Sequence, residues 1–279
     1  MRVILSRKGF DSQYGRVPSP ILPDGRMISL PIPLKEAPTT FGAINRDGIN
    51  LGSLTSDLTN GRITPHWRAH LDPDLDPGAV PRPDGWRPLF GQVDASLGHL
   101  KTSGVGVGDL FLFFGWFRPV DFVRGHWQFV RGSTSVHALW GWLSIGEVHD
   151  VSAVPASVRR WADGHPHLAG MPHRQNTLFV SGGALQLGSR RLPSAGVFTH
   201  AAHRVLTQEG ASRSTWRLPA WMHPDQGIAE LSYHHDRKRW SRIDDEHCGL
   251  TAVSKGQEFV LTCRDQKLLN EWLATIFQG

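Results

Sequence analysis

The sequence predicts an α/β fold of the α+β kind, with a mainly β core of mixed or antiparallel sheet, short helices and long ordered loops. Two apolar runs, 110–114 and 138–148, are rich in aromatic and branched residues and are bounded by Gly or Asp, as buried strands are. The 19 prolines and 30 glycines among 279 residues indicate many turns. Segment 265–277 instead repeats apolar residues at helical spacing. We expect a single domain over residues 1–279.

The first part of the chain predicts strands separated by turn-forming residues. Residues 2–6 read as an opening strand, and 27–32 as a second strand that ends at Pro33. Short helices are expected over 51–58 and between Gln92 and Gly98.

The two apolar runs predict the centre of the sheet. Gly108-Asp109 precedes the first run, where Gly adopts positive φ at low cost and the Asp side chain can cap the turn. A further strand is expected over 127–130.

The second half predicts a similar alternation. A brief helix is expected over 156–162, and strands over 176–181 and 255–260. The chain then ends in an amphipathic helix over 265–277, with Asp265 as its N-cap.

Composition narrows the class of protein. A net charge of +5 with 15 histidines favours a phosphate-bearing partner, such as a nucleotide or nucleic acid. The absence of a block of five Lys or Arg favours a local grip on a nucleotide over non-specific coating of DNA. Two late cysteines, Cys248 and Cys263, favour a reduced cytoplasmic protein. No apolar run approaches the ~20 residues of a membrane span, and charge follows residues 1–5 too soon for a signal peptide.

Polar residues directly after the opening strand form the first candidate site. Arg7 and Lys8 could neutralise phosphate, and Asp11 and Ser12 could contact ribose; the alternative is a solvated turn.

Two further polar side chains are candidates for nucleotide binding. Gln92 could read a base edge or cap local structure. Arg118 lies at a strand end, where binding sites are common.

The segment 70–77 is the main catalytic candidate. An extended backbone would direct Asp72, Asp74 and Asp76 to one side, with His70 beside them. Such a group could ligate a divalent metal, bind sugar hydroxyls or act as a general base, or it could be a solvated acidic loop. No metal ligand is assigned, and the cofactor stays open.

Two histidine-rich spots carry weaker signals. The imidazoles of His165 and His167 could ligate a metal, or Pro166 between them could mark a plain loop. His234 and His235 are adjacent, so a strand would let at most one of them reach a given site. His235 is an additional catalytic candidate, and so is Glu258 further along the chain.

Motifs along nearly the whole chain resemble the nucleotide modification associated domain family of the third type. They are 6–12, 18–21, 30–33, 70–74, 90–92, 108–115, 141–143, 231–234 and 256–260. The resemblance implies a role in base modification, alongside partner subunits of a modification system, without supplying a reaction. Gln257, within the last motif, is added to the nucleotide-binding candidates.

A local resemblance concerns residues 88–150. Gly108-Asp109 before an aromatic strand, followed by 141–148, is similar to the small barrels of the PUA, ASCH and EVE kind. Such a resemblance implies a barrel core that reads modified or flipped bases.

Two functions from different classes follow, with the enzyme placed first. The enzyme would transfer a group to, or hydrolyse, a nucleotide or base, with His70, Asp72 and Asp74 supplying the chemistry. The alternative is a non-catalytic PUA-like module in which Trp86, Trp116 or Trp221 stacks on an extruded base. A partner subunit of a modification complex is a third possibility.

Overall fold

The computed structural model describes residues 1–170, 173–254, 256 and 258–278. Its strands, in chain order, are β1 Val3–Arg7, β2 Ser19–Ile21, β3 Ile32–Pro33, β4 Thr39–Thr40, β5 Asn45–Arg46, β6 Ile49–Asn50, β7 Arg68–His70, β8 Leu89–Val93, β9 Leu110–Val123, β10 His126–Phe129, β11 Val136–Asp150, β12 Asn176–Ser181, β13 Leu185–Leu187, β14 Arg190–Leu192, β15 Ala195–Val197, β16 Thr215–Pro219, β17 Ala229–Leu231, β18 Trp240–Arg242, β19 His247–Thr251 and β20 Glu258–Cys263. Its α-helices are α1 Leu51–Leu58, α2 Asp94–Thr102, α3 Ala156–Ala162, α4 Pro166–Ala169 and α5 Gln266–Ile276. The predominance of strands over short helices confirms the α+β class.

The main sheet is mixed, as predicted. Within the described ranges its path runs β17-β20-β1-β9-β11-β12-β8, with β2 and β10 paired to β9 and β15 paired to β11. Strand β1 pairs antiparallel with β20 and parallel with β9.

The two central apolar runs pair antiparallel, as expected, but both strands are longer than predicted. Strand β9 has 14 residues and β11 has 15, with a bulge in the ladder between Leu139 and Gly141. The turn before β9 has the predicted chemistry: Gly108 has φ +90°, and the Asp109 carboxylate accepts from the backbone N–H groups of Arg2 and Gly106.

The sheet curls so that its two ends approach each other. Gln92 on β8 donates from Nε2 to Oε1 of Glu258 on β20 at 2.6 Å, and α2 packs against both strands. The rings of Phe90, Phe111 and Phe113 pack against one another in the main core. The curl therefore encloses an aromatic interior and brings side chains from distant segments together.

Three hydrophobic clusters support this arrangement. The main cluster holds the central strands and α5; the second holds α1 with Phe10 and Phe41; the third packs α3 against β8 and β12. Throughout the described ranges, each helix is too short or too polar to span a lipid bilayer.

The element predictions succeed where the signal is local. The helices 51–58 and 156–162 and the strand 176–181 have the predicted bounds. Asp265 caps α5, because its Oδ1 accepts from the N–H groups of Lys267 and Leu268.

The strand predicted over 27–32 is wrong. Met27 forms only an isolated bridge with Ile21, and the strand at this point is the two-residue β3. The backbone N–H of Ile28 bonds Pro20, and that of Leu30 bonds the Ser19 hydroxyl. Prolines at 31 and 33 have no N–H to donate, so a continuous ladder cannot form.

Candidate functional site

The Asp72 carboxylate lies at the centre of a buried polar group. It follows β7 along the chain, and its side chain is 4% exposed. Its Oδ1 accepts from the backbone N–H of Gly91 on β8 at 2.8 Å. This bond fixes the carboxylate against the sheet edge.

Two imidazoles from the segment around α4 face this carboxylate. His165 Nε2 lies 3.2 Å from Asp72 Oδ1, at an angle outside good hydrogen-bond geometry, and His167 Nε2 lies 3.5 Å from Oδ2. The Nδ1 of His165 accepts from the His167 backbone N–H, which leaves the His165 proton on Nε2, facing Asp72. The predicted plain loop is thus a short helix whose histidines contact Asp72.

Asn176 on β12 orients His167. Its amide Nδ2 donates to the backbone carbonyl of His167 at 2.9 Å, so its Oδ1 is the atom 2.7 Å from His167 Nδ1. His167 Nδ1 must then donate, and its Nε2 meets Asp72 either as a lone pair or as a second N–H. The Asn176 amide therefore fixes the His167 ring with its Nε2 facing the Asp72 carboxylate.

The pKa of Asp72 follows from this setting. Burial raises the pKa of the carboxyl, but the His165 and His167 imidazoles at 3.2 and 3.5 Å outweigh burial and hold this pKa well below its ordinary value. Asp72 is therefore a carboxylate at neutral pH.

His70 lies edge-to-face against His167, with ring centroids 5.3 Å apart. Burial lowers the pKa of His70 to about 4; Asp72 opposes this change, whereas His167, His165 and Lys8 add to it. The ring is partly exposed and forms no hydrogen bond to the described residues. It is consequently a neutral imidazole that a bound molecule can reach. We call His70, Asp72, His165 and His167 the His–Asp cluster.

Lys8, Gln92 and Glu258 form a second buried group close by. The Glu258 Oε1 accepts from Lys8 Nζ at 2.9 Å and from Gln92 Nε2 at 2.6 Å. The Lys8 ammonium also lies 4.4 Å from the Phe90 ring centroid. Because the Lys8 charge lowers the pKa of His70, this group borders the His–Asp cluster.

Two buried oxygens beside this group have no partner among the described residues. Glu258 is 1% exposed, and neither its Oε2 nor the hydroxyl of fully buried Ser6, directly opposite on β1, forms a hydrogen bond with the part of the chain that the structure describes. A buried acceptor without a donor is costly, so this place suits a water molecule or a polar group of a bound molecule.

The described residues contain no group of three or more His, Cys, Asp or Glu side chains with the geometry to hold a metal ion.

The three carboxylates of segment 72–76 do not gather on one side, contrary to the expectation. The Asp74 carboxylate is bidentate with Arg82 at 2.5 and 2.6 Å, and Asp76 pairs with Arg46 at 2.7 Å. Burial raises the pKa of Asp74 against the opposing effect of Arg82. Asp74 and Asp76 each pair with an arginine instead, because three neighbouring negative charges would repel one another.

Three predicted binding residues contact other parts of the protein or lie in a turn. The Arg7 guanidinium donates to the carbonyls of Ser254 and Val253, and burial lowers its pKa. Asp11 caps a turn by accepting from the N–H groups of Gln13 and Tyr14, and Ser12 is exposed in that turn.

Arg118 is also engaged locally. It donates to the Ser133 hydroxyl and the Val130 carbonyl and lies over the Phe129 ring. Its role in binding a nucleotide stays a prediction.

His235 lies away from the cluster. It is exposed, 3.3 Å from Glu230, whereas buried His234 accepts from the backbone N–H of Val253. Tyr233 at φ +66° places the two histidines in a turn rather than a strand, and both line one cleft, so the expectation that at most one of them reaches a given site is wrong. Gln257 lies outside the described residues.

The structure thus brings His70, Asp72, Lys8, Gln92 and Glu258 together and adds residues that the sequence reasoning left aside. His165 and His167 were considered only as a metal pair or a loop, and Asn176 only as part of a strand. The signal that could have found them is the His-Pro-His sequence, since Pro at the first helical position with His before it predicts a helix start.

A sequence model of the family described as nucleotide modification associated domain 3 matches residues 2–262, nearly the whole chain. This confirms the family predicted from the motifs. No curated protein and no solved structure matches the chain.

Proposed function

Since the chain belongs to the nucleotide modification associated domain 3 family, we propose that it is an enzyme that acts on the base of a nucleotide or nucleic acid by group transfer or hydrolysis. The observation that carries the proposal is a neutral imidazole within reach of a bound molecule, His70, packed against the His167 ring that faces the buried Asp72 carboxylate. Buried groups whose pKa values are strongly lowered, as those of His70 and Asp72 are, are typical of functional sites.

In this proposal His70 is the general base. Its neutral ring accepts a proton from an attacking water or hydroxyl at pH 7. The protonated His70 then returns this proton to the departing atom, the nearby Asp72 carboxylate stabilises the His70 imidazolium, and Asn176 fixes the His167 ring beside them.

The neighbouring Lys8, Gln92 and Glu258 bind the polar edge of the base. The free Oε2 of Glu258 accepts from an N–H of that edge, and Lys8 neutralises negative charge. Five separated segments of the chain contribute to these two groups. Buried titratable side chains gathered in this way are typical of functional sites.

The test replaces Asp72 by Asn, which keeps an acceptor oxygen but removes the charge. We expect the modified nucleoside in a host that carries the gene to fall by about 100-fold or more, as general acid–base catalysis contributes 10²–10⁴. Mass spectrometry of nucleosides from DNA, RNA and the nucleotide pool measures the change.

The matched control is Asp163→Asn, because Asp163 is exposed and forms only a 3.8 Å pair with Arg159. It should leave the nucleoside profile unchanged. A folded Asp72→Asn protein with the wild-type profile would refute the catalytic role.

The second candidate is a PUA-like module with its core around 88–150 that binds a modified or flipped base without turnover. The curl of the sheet around β9 and β11 favours it. The predicted stacking tryptophans favour it less, since Trp86 lies under Arg82, Trp116 under Arg213, and Trp221 against Trp272. The module predicts salt-dependent binding of a modified oligonucleotide and no difference in nucleosides between hosts that carry the wild-type and the Asp72→Asn protein.

The proposal also places the protein in the cytoplasm, with a nucleotide or nucleic acid as its ligand. Subunits of a modification system are its proposed partners. Buried free thiols at Cys248 and Cys263 agree with a reducing compartment.

A further inference from the structure

A cleft of ≈ 330 Å³ lies at the end of β20 that is remote from Glu258. Its apolar lining comes from Met222, Ile228 and Trp240. Arg237 and Arg264 line the same cleft, together with His234 and His235. We call this the basic cleft. Six residues separate Glu258 from Arg264 along an extended strand, which is about 20 Å at ~3.3 Å per residue.

Cations near the basic cleft are free to bind a ligand. Lys238, Arg242 and Arg264 are exposed, and none of them forms an ion pair with a described residue. Arg242 lies two residues beyond Trp240 on β18, so both side chains project from the same face of that strand.

Some of the carboxylates nearby are engaged. Asp225 pairs with Arg237 at 2.9 Å, and Asp236 caps a helical turn by accepting from the Lys238 backbone N–H. Glu230 lines the cleft 3.3 Å from His235. The cations without an ion pair to a described residue, Lys238, Arg242 and Arg264, are what this surface offers to a phosphate.

We propose that the basic cleft binds the phosphodiester backbone of a polynucleotide. Exposed Lys and Arg without acidic partners fit phosphate groups, which such proteins contact along a chain. The span of about 20 Å to Glu258 corresponds to about six nucleotides at ~3.4 Å each. A mononucleotide cannot reach both places, so, given the proposed function, the substrate is a polymer rather than a free nucleotide.

The experiment measures fluorescence anisotropy of a fluorescein-labelled, 12-nucleotide single-stranded DNA with the full chain over a salt series. The variant combines Lys238→Ala, Arg242→Ala and Arg264→Ala and leaves Arg237 in its pair with Asp225. The matched control combines Lys35→Ala, Arg160→Ala and Arg191→Ala, exposed cations elsewhere with no ion pair to the described residues. Both variants lose the same charge.

We expect the cleft variant to lose at least tenfold in affinity and about 2 from the slope of log K against log salt, since each single-strand phosphate contact contributes about 0.7. The control should change affinity less than twofold. Thymidine monophosphate should not displace the oligonucleotide.

Equal losses in the two variants, no loss in the cleft variant, or displacement by the mononucleotide would overturn the proposal. The Asp72→Asn protein separates this result from the catalytic proposal, because it should bind the oligonucleotide like the wild type. In the Asp72→Asn protein, loss of modification with intact oligonucleotide binding supports the catalytic proposal, and intact modification refutes it. Loss of binding in the cleft variant supports the basic cleft in either case.

Discussion

At the scale of single residues, the Lys8–Glu258 pair is the most informative. Its side chains are 10% and 1% exposed, so both charges are largely removed from water. A buried ion pair adds little stability over apolar residues of similar volume, although breaking it leaves a costly lone charge. Stability alone therefore does not explain the pair, which agrees with the binding role that we propose for it.

The His70 imidazole makes stability depend on pH. Its pKa is lowered to about 4 by burial, whereas an imidazole in an unfolded chain titrates near 6.5. Between these values the unfolded chain binds more protons, so the free energy of unfolding falls as pH drops, by up to about 1.4 kcal/mol per unit for this one group. Urea unfolding of His70→Gln should show a pH slope that is smaller by about one proton over pH 6.5 to 4.

The control for this measurement is His126→Gln, whose side chain is 75% exposed. Its pH slope should match that of the wild type. An unchanged slope in His70→Gln would mean that the ring is not held neutral.

The sequence identified individual site residues better than their partners. Lys8 is predicted because polar residues follow the opening strand, and His70 and Asp72 because carboxylates are dense in segment 70–77; the structure places the three near one another. That Asp72 would meet His165 and His167 could not be foreseen, since some 95 residues separate them and nothing local encodes the contact. Asp74 illustrates the opposite error. From the sequence its carboxylate is equivalent to that of Asp72, but in the structure it binds Arg82, eight residues further along the chain.

At the scale of elements, β8 determines how the His–Asp cluster is built. Its Gly91 donates to Asp72, and a Cβ at this position would lie 2.3 Å from the His167 ring. The absence of a side chain is what lets the imidazole rest on the strand. Helix α2 follows immediately and contains Gly98, where a Cβ would meet nothing within 4 Å.

These two glycines give a matched pair of substitutions. Gly91→Ala should displace the His167 ring, cost about 1–3 kcal/mol of unfolding free energy and reduce modification as Asp72→Asn does. Gly98→Ala should be neutral or stabilising by up to about 1 kcal/mol, because it removes backbone freedom from a half-buried helix position where a Cβ has open space. Urea unfolding and nucleoside analysis measure both; equal activity in the two variants would contradict the packing argument.

Elements with a strong local period were predictable, and those that depend on distant pairing were not. The helices α1 and α3 begin and end where apolar spacing placed them. Strand β9 is predicted over 110–114 but continues to Val123, because β10 pairs with its largely exposed outer end. The contact between β8 and β20 depends on the curl of the whole sheet, which no local pattern reports.

At the scale of the molecule, β9 joins two hydrophobic clusters. Its residues from Leu110 to Phe117 contribute to the main cluster, and Val120 belongs to the second cluster with α1. A single strand that is shared in this way cannot be ordered in one cluster and disordered in the other without losing its ladder. We therefore propose that residues 1–279 unfold as one domain.

Two core leucines test this proposal, because Leu54 lies in the second cluster and Leu97 in the main cluster, both fully buried. Each change to Ala should cost about 2–5 kcal/mol. Pulsed hydrogen exchange along a urea series measures the unfolding midpoint of each peptide. If the chain is a single domain, each variant should show one lowered midpoint that peptides from α1 and from β20 share. If Leu54→Ala lowered the midpoint of α1 peptides alone, the two clusters would be separate domains, and the His–Asp cluster would have to form between units that unfold independently.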